Sequence, residues 1–247
     1  MEGSFKFYEV GGCVRDEILG LKSKDIDYVA VPDDVLLAEI THAGTMFSIL
    51  VTHLTEQGFE IFLETPDCFT VRAKFPKDHK HQGAADFVMS RKEVGYIPGT
   101  RTPIVVPGTL YDDLERRDFT LNALAKDEDG KIIDFFNGLS HLQSGLLITP
   151  LPCEVTFHDD PLRILRAIRF SITKGFTISD EMSQIIRNYD CEVKMAVVSQ
   201  ERIREELIKC FSFDTFLTMD MLMRYPLLCE FCFSGILWLK PTMEKKL

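Results

Sequence analysis

The first residues that could do chemistry together lie within one short segment near the N-terminus. The segment combines a Gly-Gly pair, an Arg-Asp pair, a further glycine and an Asp-x-Asp motif. These residues are Gly11, Gly12, Arg15, Asp16, Gly20, Asp25 and Asp27. Residues two apart in a strand point to the same face, so Asp25 and Asp27 are expected to converge. Two adjacent carboxylates repel each other, and their hard oxygen atoms suit Mg²⁺.

The Gly-Gly pair adds a second element to this site. A Gly11-Gly12 turn lets backbone N–H groups approach a polyphosphate, and Arg15 can contribute positive charge. An Asp-x-Asp motif alone is usually a solvated strand edge. The glycines and the Arg-Asp pair in the same segment make the combination much more specific.

A third carboxylate on a neighbouring strand would complete a two-metal site. Asp86, in the run ADFVMSRKE, is our candidate, and Glu60, in the run FEI, is its competitor. Such a site activates a 3′-hydroxyl and stabilises the leaving pyrophosphate. Taken alone, either residue is more simply an exposed acid on a strand.

The run RRDFTLNA supplies a further set of polar residues. We predict a helix over residues 113–125, in which Asp118 and Asn122 are four apart and share a face. They could hold a ribose or order the arginines, while Arg117 binds phosphate. The alternative is a helix with an Arg–Asp pair on its surface.

The sequence DDPLR opens a predicted helix that also carries Arg166 and Arg169. Asp160 and Arg163 offer an acceptor beside a donor. Cytosine and adenine both present an exocyclic amino donor beside a ring-nitrogen acceptor, and uracil and guanine reverse this pattern. The pair therefore matches C and A without a nucleic-acid template. The alternative is a capping aspartate and an ion pair, which stabilise a protein little.

These groups need a scaffold, and the residue pattern predicts an α+β fold. Short β-rich runs alternate with polar turns up to residue 138, which indicates a catalytic head with a mixed β-sheet and helices over residues 1–138. Helix-period apolar residues then predict an all-helical second domain over residues 139–213. We expect Asp160 and Arg163 of this domain to read the base, and Arg166 and Arg169 to bind the nucleotide with them. A short helical C-terminal segment covers residues 214–247. We expect the helix over residues 199–213 to be a scaffold for the nucleotide-binding helices.

Composition excludes several classes of protein. The 247 residues are 45% apolar with a net charge of -10, which argues against nonspecific coating of nucleic acid. No apolar run approaches the roughly 18 residues needed to span a bilayer. The seven scattered cysteines and the lack of a secretory signal lead us to expect reduced thiols and a cytoplasmic protein without membrane association.

Taken in order, these motifs resemble those of class II tRNA nucleotidyltransferases and the bacterial-type poly(A) polymerases of the same superfamily. The similar segments are GGCVRDEILGLKSKDID, ADFVMSRKE, GTLYDDLERRDFTLNALA, DDPLRILRAIRF and SQERIREEL. The resemblance implies a nucleotidyltransferase head followed by a helical neck. It implies that Asp25, Asp27 and Asp86 bind the catalytic metals, and that Asp160 and Arg163 read the base.

By the same resemblance, Arg117, Asp118 and Asn122 contact the sugar and phosphates. The expected activity is stepwise addition of CMP, CMP and AMP to the 3′ end of tRNA, with CTP, ATP and tRNA as partners and Mg²⁺ as cofactor. A poly(A) polymerase and an enzyme that adds only CC or only A share this head and remain alternatives. A catalytically silent RNA-binding module is an alternative of a different class, and it would not need the carboxylates or the base-reading pair. The oligomeric state is left open.

Overall fold

A computed structural model describes residues 4–23, 25–40, 42–96 and 103–233. The chain divides into two compact units. The first runs to Ser144 and takes in residues 149–151, and the second comprises residues 145–148 and the described residues from Pro152 onward. Residues 234–247 of the predicted C-terminal segment lie outside the described residues. The predicted α+β class, with a helical second part, is confirmed.

The first unit is built on a mixed β-sheet. Its strands are β1 (Phe5–Val10), β2 (Ile26–Pro32), β3 (Glu60–Thr65), β4 (Thr70–Lys74), β5 (Ala84–Met89), β6 (Arg91–Tyr96), β7 (Pro103–Pro107), β8 (Leu124–Lys126) and β9 (Ile132–Asp134). Seven of them form one sheet in the order β3-β4-β5-β2-β1-β8-β9, and β6 pairs with β7 as a separate hairpin. In the larger sheet β2 and β5 pair in parallel, and the other neighbours are antiparallel.

Helices cover both faces of this sheet. They are α1 (Gly12–Ile18), α2 (Asp34–Glu39), α3 (Ala43–Glu56), α4 (Leu110–Glu115) and α5 (Gly138–Ser144). Tyr28 and Ala30 of β2 join a core cluster with apolar residues of α3, whereas Val29 joins a second cluster with Leu110 and Leu114 of α4. A strand covered on both faces has apolar residues at successive positions, as β2 does. Asp27, two residues before Val29, faces the α4 side.

The second unit is mainly helical. Its elements are β10 (Leu146–Leu147), α6 (Cys153–Asp159), α7 (Leu162–Lys174), β11 (Thr177–Ile178), α8 (Asp180–Arg187), α9 (Cys191–Lys194), α10 (Gln200–Phe213), α11 (Thr215–Met223) and α12 (Pro226–Phe233). Serine or aspartate side chains cap α8, α10 and α11 by accepting a backbone N–H in the first turn. No helix in the described part of the chain is both long and apolar enough to cross a membrane.

The predicted helix over residues 113–125 is wrong. The helix α4 ends at Glu115, a 3-10 turn covers Thr120–Asn122, and β8 follows. The Asp118 carboxylate accepts the backbone N–H of Phe119 at 2.8 Å, and Phe119 itself is extended and fully buried. A side chain that bonds its own backbone in this way competes with helical hydrogen bonding, so the helix stops.

The sequence pattern predicts that the helical second domain begins at residue 139. In the structure, α5 (Gly138–Ser144) lies in the first unit. The Asp134 carboxylate of β9 accepts the backbone N–H groups of Gly138 at 2.8 Å and of Leu139 at 2.9 Å, and so holds the start of α5 to the sheet. His141 of α5 also hydrogen-bonds the Thr120 hydroxyl at 2.9 Å.

Gly138 is the tightest point of this attachment. A Cβ atom there would overlap the carbonyl oxygen of Thr120 and lie 2.9 Å from its carbonyl carbon. Because backbone atoms cannot move aside as a flexible side chain can, we expect Gly138→Ala to lower the free energy of unfolding by about 1–3 kcal/mol, measured by urea denaturation. Gly95→Ala is the control, since its Cβ would meet nothing nearer than Ile104 at 4.0 Å. Equal stability of the two variants would contradict the assignment.

Candidate functional site

Two carboxylates lie side by side at the centre of the sheet. Asp27 of β2 and Asp86 of β5 are register partners in the parallel pair, and Asp25 directly precedes β2. Burial raises the pKa of Asp27, the positive charge of Arg117 opposes that rise, and the charges of Asp86 and Asp25 add to it. The site therefore holds a partly buried carboxylate whose negative charge is incompletely balanced.

The competing carboxylate lies elsewhere. Glu60 is on β3, at the edge of the sheet, and both β4 and β5 separate it from β2. Its carboxylate forms an ion pair with Lys74 at 2.9 Å, and both side chains are exposed. The structure thus places Asp86, and not Glu60, beside Asp27.

The chemistry of these donors suits a divalent cation with oxygen ligands. Carboxylate oxygens are hard ligands, and a bound cation would relieve the repulsion that raises the pKa of Asp27. Within the described ranges, no group of three His, Cys, Asp or Glu side chains is already close enough to hold a metal ion. Arg72 of β4 binds both oxygens of Asp86, at 2.6 and 2.8 Å, and so occupies its ligand atoms.

The glycine turn next to β1 is needed for space as well as for its backbone conformation. Gly11 has a φ of 76°, and a Cβ atom there would lie 2.7 Å from Nη1 of Arg117. Gly12 begins α1. The turn therefore brings the Arg117 guanidinium against the backbone at the start of α1. The backbone N–H groups in the first turn of a helix have no partner within that helix.

Three of the predicted nucleotide-binding residues form a buried chain of hydrogen bonds. Arg15 donates to the side-chain oxygen of Asn122 at 2.5 Å, and Asn122 donates to Asp118 at 2.8 Å. Arg15 also forms an ion pair with Asp16 at 2.8 Å. All three predicted residues are buried, so they link α1 to the segment after α4. Their contacts with sugar or phosphate stay predictions.

A cluster of arginines, which the sequence did not reveal as a unit, surrounds Asp113 of α4. Asp113 is fully buried and pairs with Arg116 at 2.5 Å and with Arg117 at 3.0 Å. Burial alone would raise its pKa, but the two guanidinium groups hold the pKa below its ordinary value. Glu93 of β6 lies 3.4 Å from Arg116 and 3.7 Å from Arg91.

Within the described part of the chain, the buried Nε atoms of Arg91 and Arg117 have no hydrogen-bond partner. The Arg-Arg pair and the RKE run were the available signals for this cluster. The buried acid at its centre could not be inferred, because residues 91–93 and 113–117 meet only in the fold.

In the second unit, Asp160 is held from two sides. One carboxylate oxygen accepts the backbone N–H of Leu162 at 2.9 Å, and the other lies 3.2 Å from Arg202 of α10. Arg163 donates its backbone N–H to the Asp160 carbonyl at 3.0 Å, and its guanidinium donates to the Thr156 carbonyl at 3.2 Å. The predicted acceptor and donor are thus neighbours in the first turn of α7.

The other two predicted arginines of α7 face a buried acid. Glu206 of α10 forms an ion pair with Arg169 at 2.5 Å and lies 4.0 Å from Arg166. The Arg169 guanidinium also lies over the Phe170 ring, 4.5 Å from its centroid. These contacts give α10 its expected scaffold role, and nucleotide contacts of the two arginines stay predictions.

The model of the poly(A) polymerase head domain matches residues 7–148. The chain belongs to this family. The match covers the sheet of the first unit from residue 7 onward, including the Asp27–Asp86 pair and the arginine cluster.

Two curated relatives are similar to most of this chain and are longer than it. It is 34% identical over 203 residues to the CCA-adding enzyme of Lactiplantibacillus plantarum, covering 82% of this chain and 44% of the relative. It is also 34% identical over 209 residues to the multifunctional CCA protein of Nitrosomonas eutropha, covering 82% and 43%. The chain therefore spans less than half the length of these curated relatives.

A solved structure shares the fold. The CCA-adding enzyme of Bacillus stearothermophilus in complex with CTP superimposes with a TM-score of 0.69 at 26% identity, covering 90% of this chain and 49% of that one. The fold similarity therefore extends beyond the head domain into the second unit.

The raised pKa of Asp27 makes a prediction about stability. At neutral pH a raised folded-state pKa costs stability, because the carboxylate is charged in both states but penalised only when folded. We therefore expect Asp27→Asn to raise the free energy of unfolding at pH 7, by roughly 1 kcal/mol. This gain should shrink as pH falls toward about 4, the ordinary aspartate range, because the wild-type carboxyl group then takes up a proton.

The measurement is urea denaturation of both proteins between pH 4 and 7. Asp78→Asn, a change at an exposed aspartate of a polar loop, should stay within about 0.5 kcal/mol of wild type throughout. An Asp27→Asn protein that is less stable than wild type at pH 7 would show that the charge is already balanced.

Proposed function

We propose that this chain carries the catalytic head and the base-selecting neck of a tRNA nucleotidyltransferase. Its reaction is the stepwise transfer of CMP, CMP and AMP from CTP and ATP to the 3′ end of tRNA, with release of pyrophosphate. The observation that carries the proposal is the pairing of Asp27 with Asp86, within reach of the Arg117 charge. Relatives named CCA-adding enzyme and multifunctional CCA protein support it.

In the head, Asp25, Asp27 and Asp86 are the proposed ligands of Mg²⁺, which when bound would activate the 3′-hydroxyl and stabilise the leaving pyrophosphate. Arg117 lies on the same side and attracts the phosphates. The backbone N–H of Gly12, at the start of α1, binds a further phosphate oxygen, whereas that of Gly11 donates to the Leu124 carbonyl at 3.3 Å, so Gly11 contributes through the turn it forms. These groups position the α-phosphorus, where the 3′-oxygen forms its bond as the bond to the β-phosphate oxygen breaks.

In the neck, Asp160 and Arg163 are the proposed readers of the base. The Asp160 carboxylate accepts from the amino group of C or A, and the Arg163 guanidinium donates to the ring nitrogen. A uracil or guanine base would present a donor to the arginine and an acceptor to the aspartate. This pairing rejects both without a template.

We place the activity in the cytoplasm. All seven cysteines are free thiols in the structure, as expected for a reducing compartment.

The deciding experiment is a nucleotide-dependence assay on tRNA that lacks its CCA end. We expect the whole chain, with Mg²⁺, to add C, C and A when CTP and ATP are supplied. Extension of unrelated RNA by ATP alone would indicate a poly(A) polymerase, and addition of only CC or only A would indicate a partial enzyme. Binding of RNA without any transfer would indicate a silent RNA-binding module.

Carboxylate variants test the same proposal at the level of residues. Asp86→Ala should lower the transfer rate by about two orders of magnitude or more, because the lost charge acts on the reacting phosphate. Glu60→Ala is the control and should retain the wild-type rate, since Glu60 pairs with Lys74 at the edge of the sheet, where β4 and β5 separate it from β2. Inactivity of Glu60→Ala beside an active Asp86→Ala would reverse our assignment of the third ligand.

Base selection predicts a change in a ratio of efficiencies. Asp160→Ala should reduce the preference for CTP over UTP by about tenfold or more, because a required acceptor and its mismatch penalty are both removed. Asp159→Ala is the matched control, since it removes the same charge from the neighbouring position, where the carboxylate lies 3.7 Å from the His158 ring.

The quantity to measure is kcat/KM for CTP and for UTP. Circular dichroism must show that the fold is kept, because the Asp160 carboxylate also accepts the backbone N–H of Leu162 at the start of α7, and the loss of such a hydrogen bond costs about 1 kcal/mol. If a folded Asp160→Ala protein keeps the wild-type CTP-to-UTP ratio, Asp160 does not read the base. Its role is then structural, as the acceptor of the Leu162 N–H and the ion-pair partner of Arg202.

A further inference from the structure

An arginine lies in the same row of side chains as the proposed metal ligands. Arg72 of β4 is the register partner of Asp86 of β5, which is in turn the partner of Asp27 of β2. Register partners on adjacent strands point to the same face, so the row reads Asp27, Asp86, Arg72 across the sheet. The positive charge therefore lies one strand beyond the second carboxylate.

The contact between Arg72 and Asp86 uses both ends of the carboxylate. Nε of Arg72 lies 2.6 Å from one oxygen, and Nη2 lies 2.8 Å from the other. Asp86 raises the pKa of Arg72 most, and Asp25 and Asp27 contribute in the same direction. The guanidinium is thus held to one carboxylate and lies in the electrostatic field of all three.

This ion pair is one that a stronger cation can displace. The Arg72 side chain is 50% exposed and that of Asp86 is 28% exposed. An exposed ion pair of this kind changes an equilibrium constant by at most about fivefold, because water screens it and the long side chain loses freedom. A divalent ion carries twice the charge and can contact Asp27 and Asp86 together.

We propose that Arg72 is a built-in counter-ion of the metal site, which balances Asp86 in the metal-free protein and is displaced when a divalent cation binds. The inference rests on the proposed function, since that function makes Asp27 and Asp86 metal ligands. Arg72 weakens metal binding in two ways: it occupies the oxygens of Asp86, and it adds a repelling charge to the site. It is a positioning residue and not a catalytic one.

The chain offers a matched control on the same strand. Lys74 lies two residues from Arg72, its side chain is 54% exposed, and it pairs with Glu60 rather than with a proposed ligand. Lys74→Gln and Arg72→Gln remove the same charge from the same face of β4. Only the second substitution releases Asp86.

The probe is Mn²⁺, and the readout is the electron paramagnetic resonance signal of free Mn²⁺ in titrations of the whole chain without nucleotide or RNA. We expect Arg72→Gln to bind Mn²⁺ about two- to fivefold more tightly than wild type. Arg72→Lys should return the affinity toward wild type, and Lys74→Gln should leave it unchanged. In an Asp86→Asn background, Arg72→Gln should raise the affinity less than it does in the wild-type background, because only the repelling charge is then removed.

The outcomes separate this inference from the proposed function. The inference would be overturned if Arg72→Gln bound Mn²⁺ no more tightly than wild type, or if Lys74→Gln raised the Mn²⁺ affinity equally. In both cases the wild-type protein still binds the metal, so the proposed function stands. Absence of Mn²⁺ binding from wild type and Arg72→Gln alike would remove the metal site itself, and the inference with it. Circular dichroism verifies that each variant is folded. We expect Arg72→Gln and Lys74→Gln to fold, because both side chains are exposed.

Discussion

The parallel pairing of β2 with β5 forces Asp27 and Asp86 into neighbouring positions, and much of the surrounding structure balances the resulting repulsion. Burial prevents water from screening Asp27 fully, so its charge must be met by protein groups or by a bound cation. Arg117 supplies part of that charge, and Asp113 fixes Arg117 in turn. Only a glycine at position 11 leaves room for this guanidinium. One pair of carboxylates thus explains a glycine on one segment and an arginine and a buried acid on another.

Several residues whose types suggested ligand binding have structural partners instead, and the two roles are connected. The bonds from Arg15 to Asn122 and from Asn122 to Asp118 fix the segment that carries Arg117. A network of this kind is costly to leave half-satisfied, because buried polar groups without partners lose their hydration. The network therefore keeps its own geometry, and Arg117, which lies on the segment it holds, keeps a fixed position. Orientation is what phosphoryl transfer mainly requires of a protein.

Local patterns predicted the elements that local interactions determine. The helix predicted over residues 199–213 is observed as α10 (Gln200–Phe213), and the Ser199 side chain caps it. The prediction of a helix over residues 113–125 is wrong because the Asp118 carboxylate accepts the backbone N–H of the next residue, Phe119. This bond competes with the hydrogen bonds of a helix. The pairing of Arg72 with Asp86 joins residues 14 apart across a strand register. Such contacts depend on register, which periodicity alone does not give. The order of the motifs located the candidate site, but its counter-charges came only from the fold.

Asp160 can both hold the start of α7, by accepting the Leu162 N–H, and read a base, because the two roles do not exclude each other. A hydrogen-bond acceptor discriminates between bases only if it cannot turn to suit the wrong one. The Leu162 N–H and the Arg202 guanidinium fix the Asp160 carboxylate from two sides, and the Thr156 carbonyl holds the Arg163 guanidinium. Each carboxylate oxygen can accept more than one hydrogen bond, so these contacts leave acceptor capacity for a base. The contacts of Asp160 between α6 and α7 therefore also set the direction in which its carboxylate points. The proposed selection of C and A would depend on these contacts.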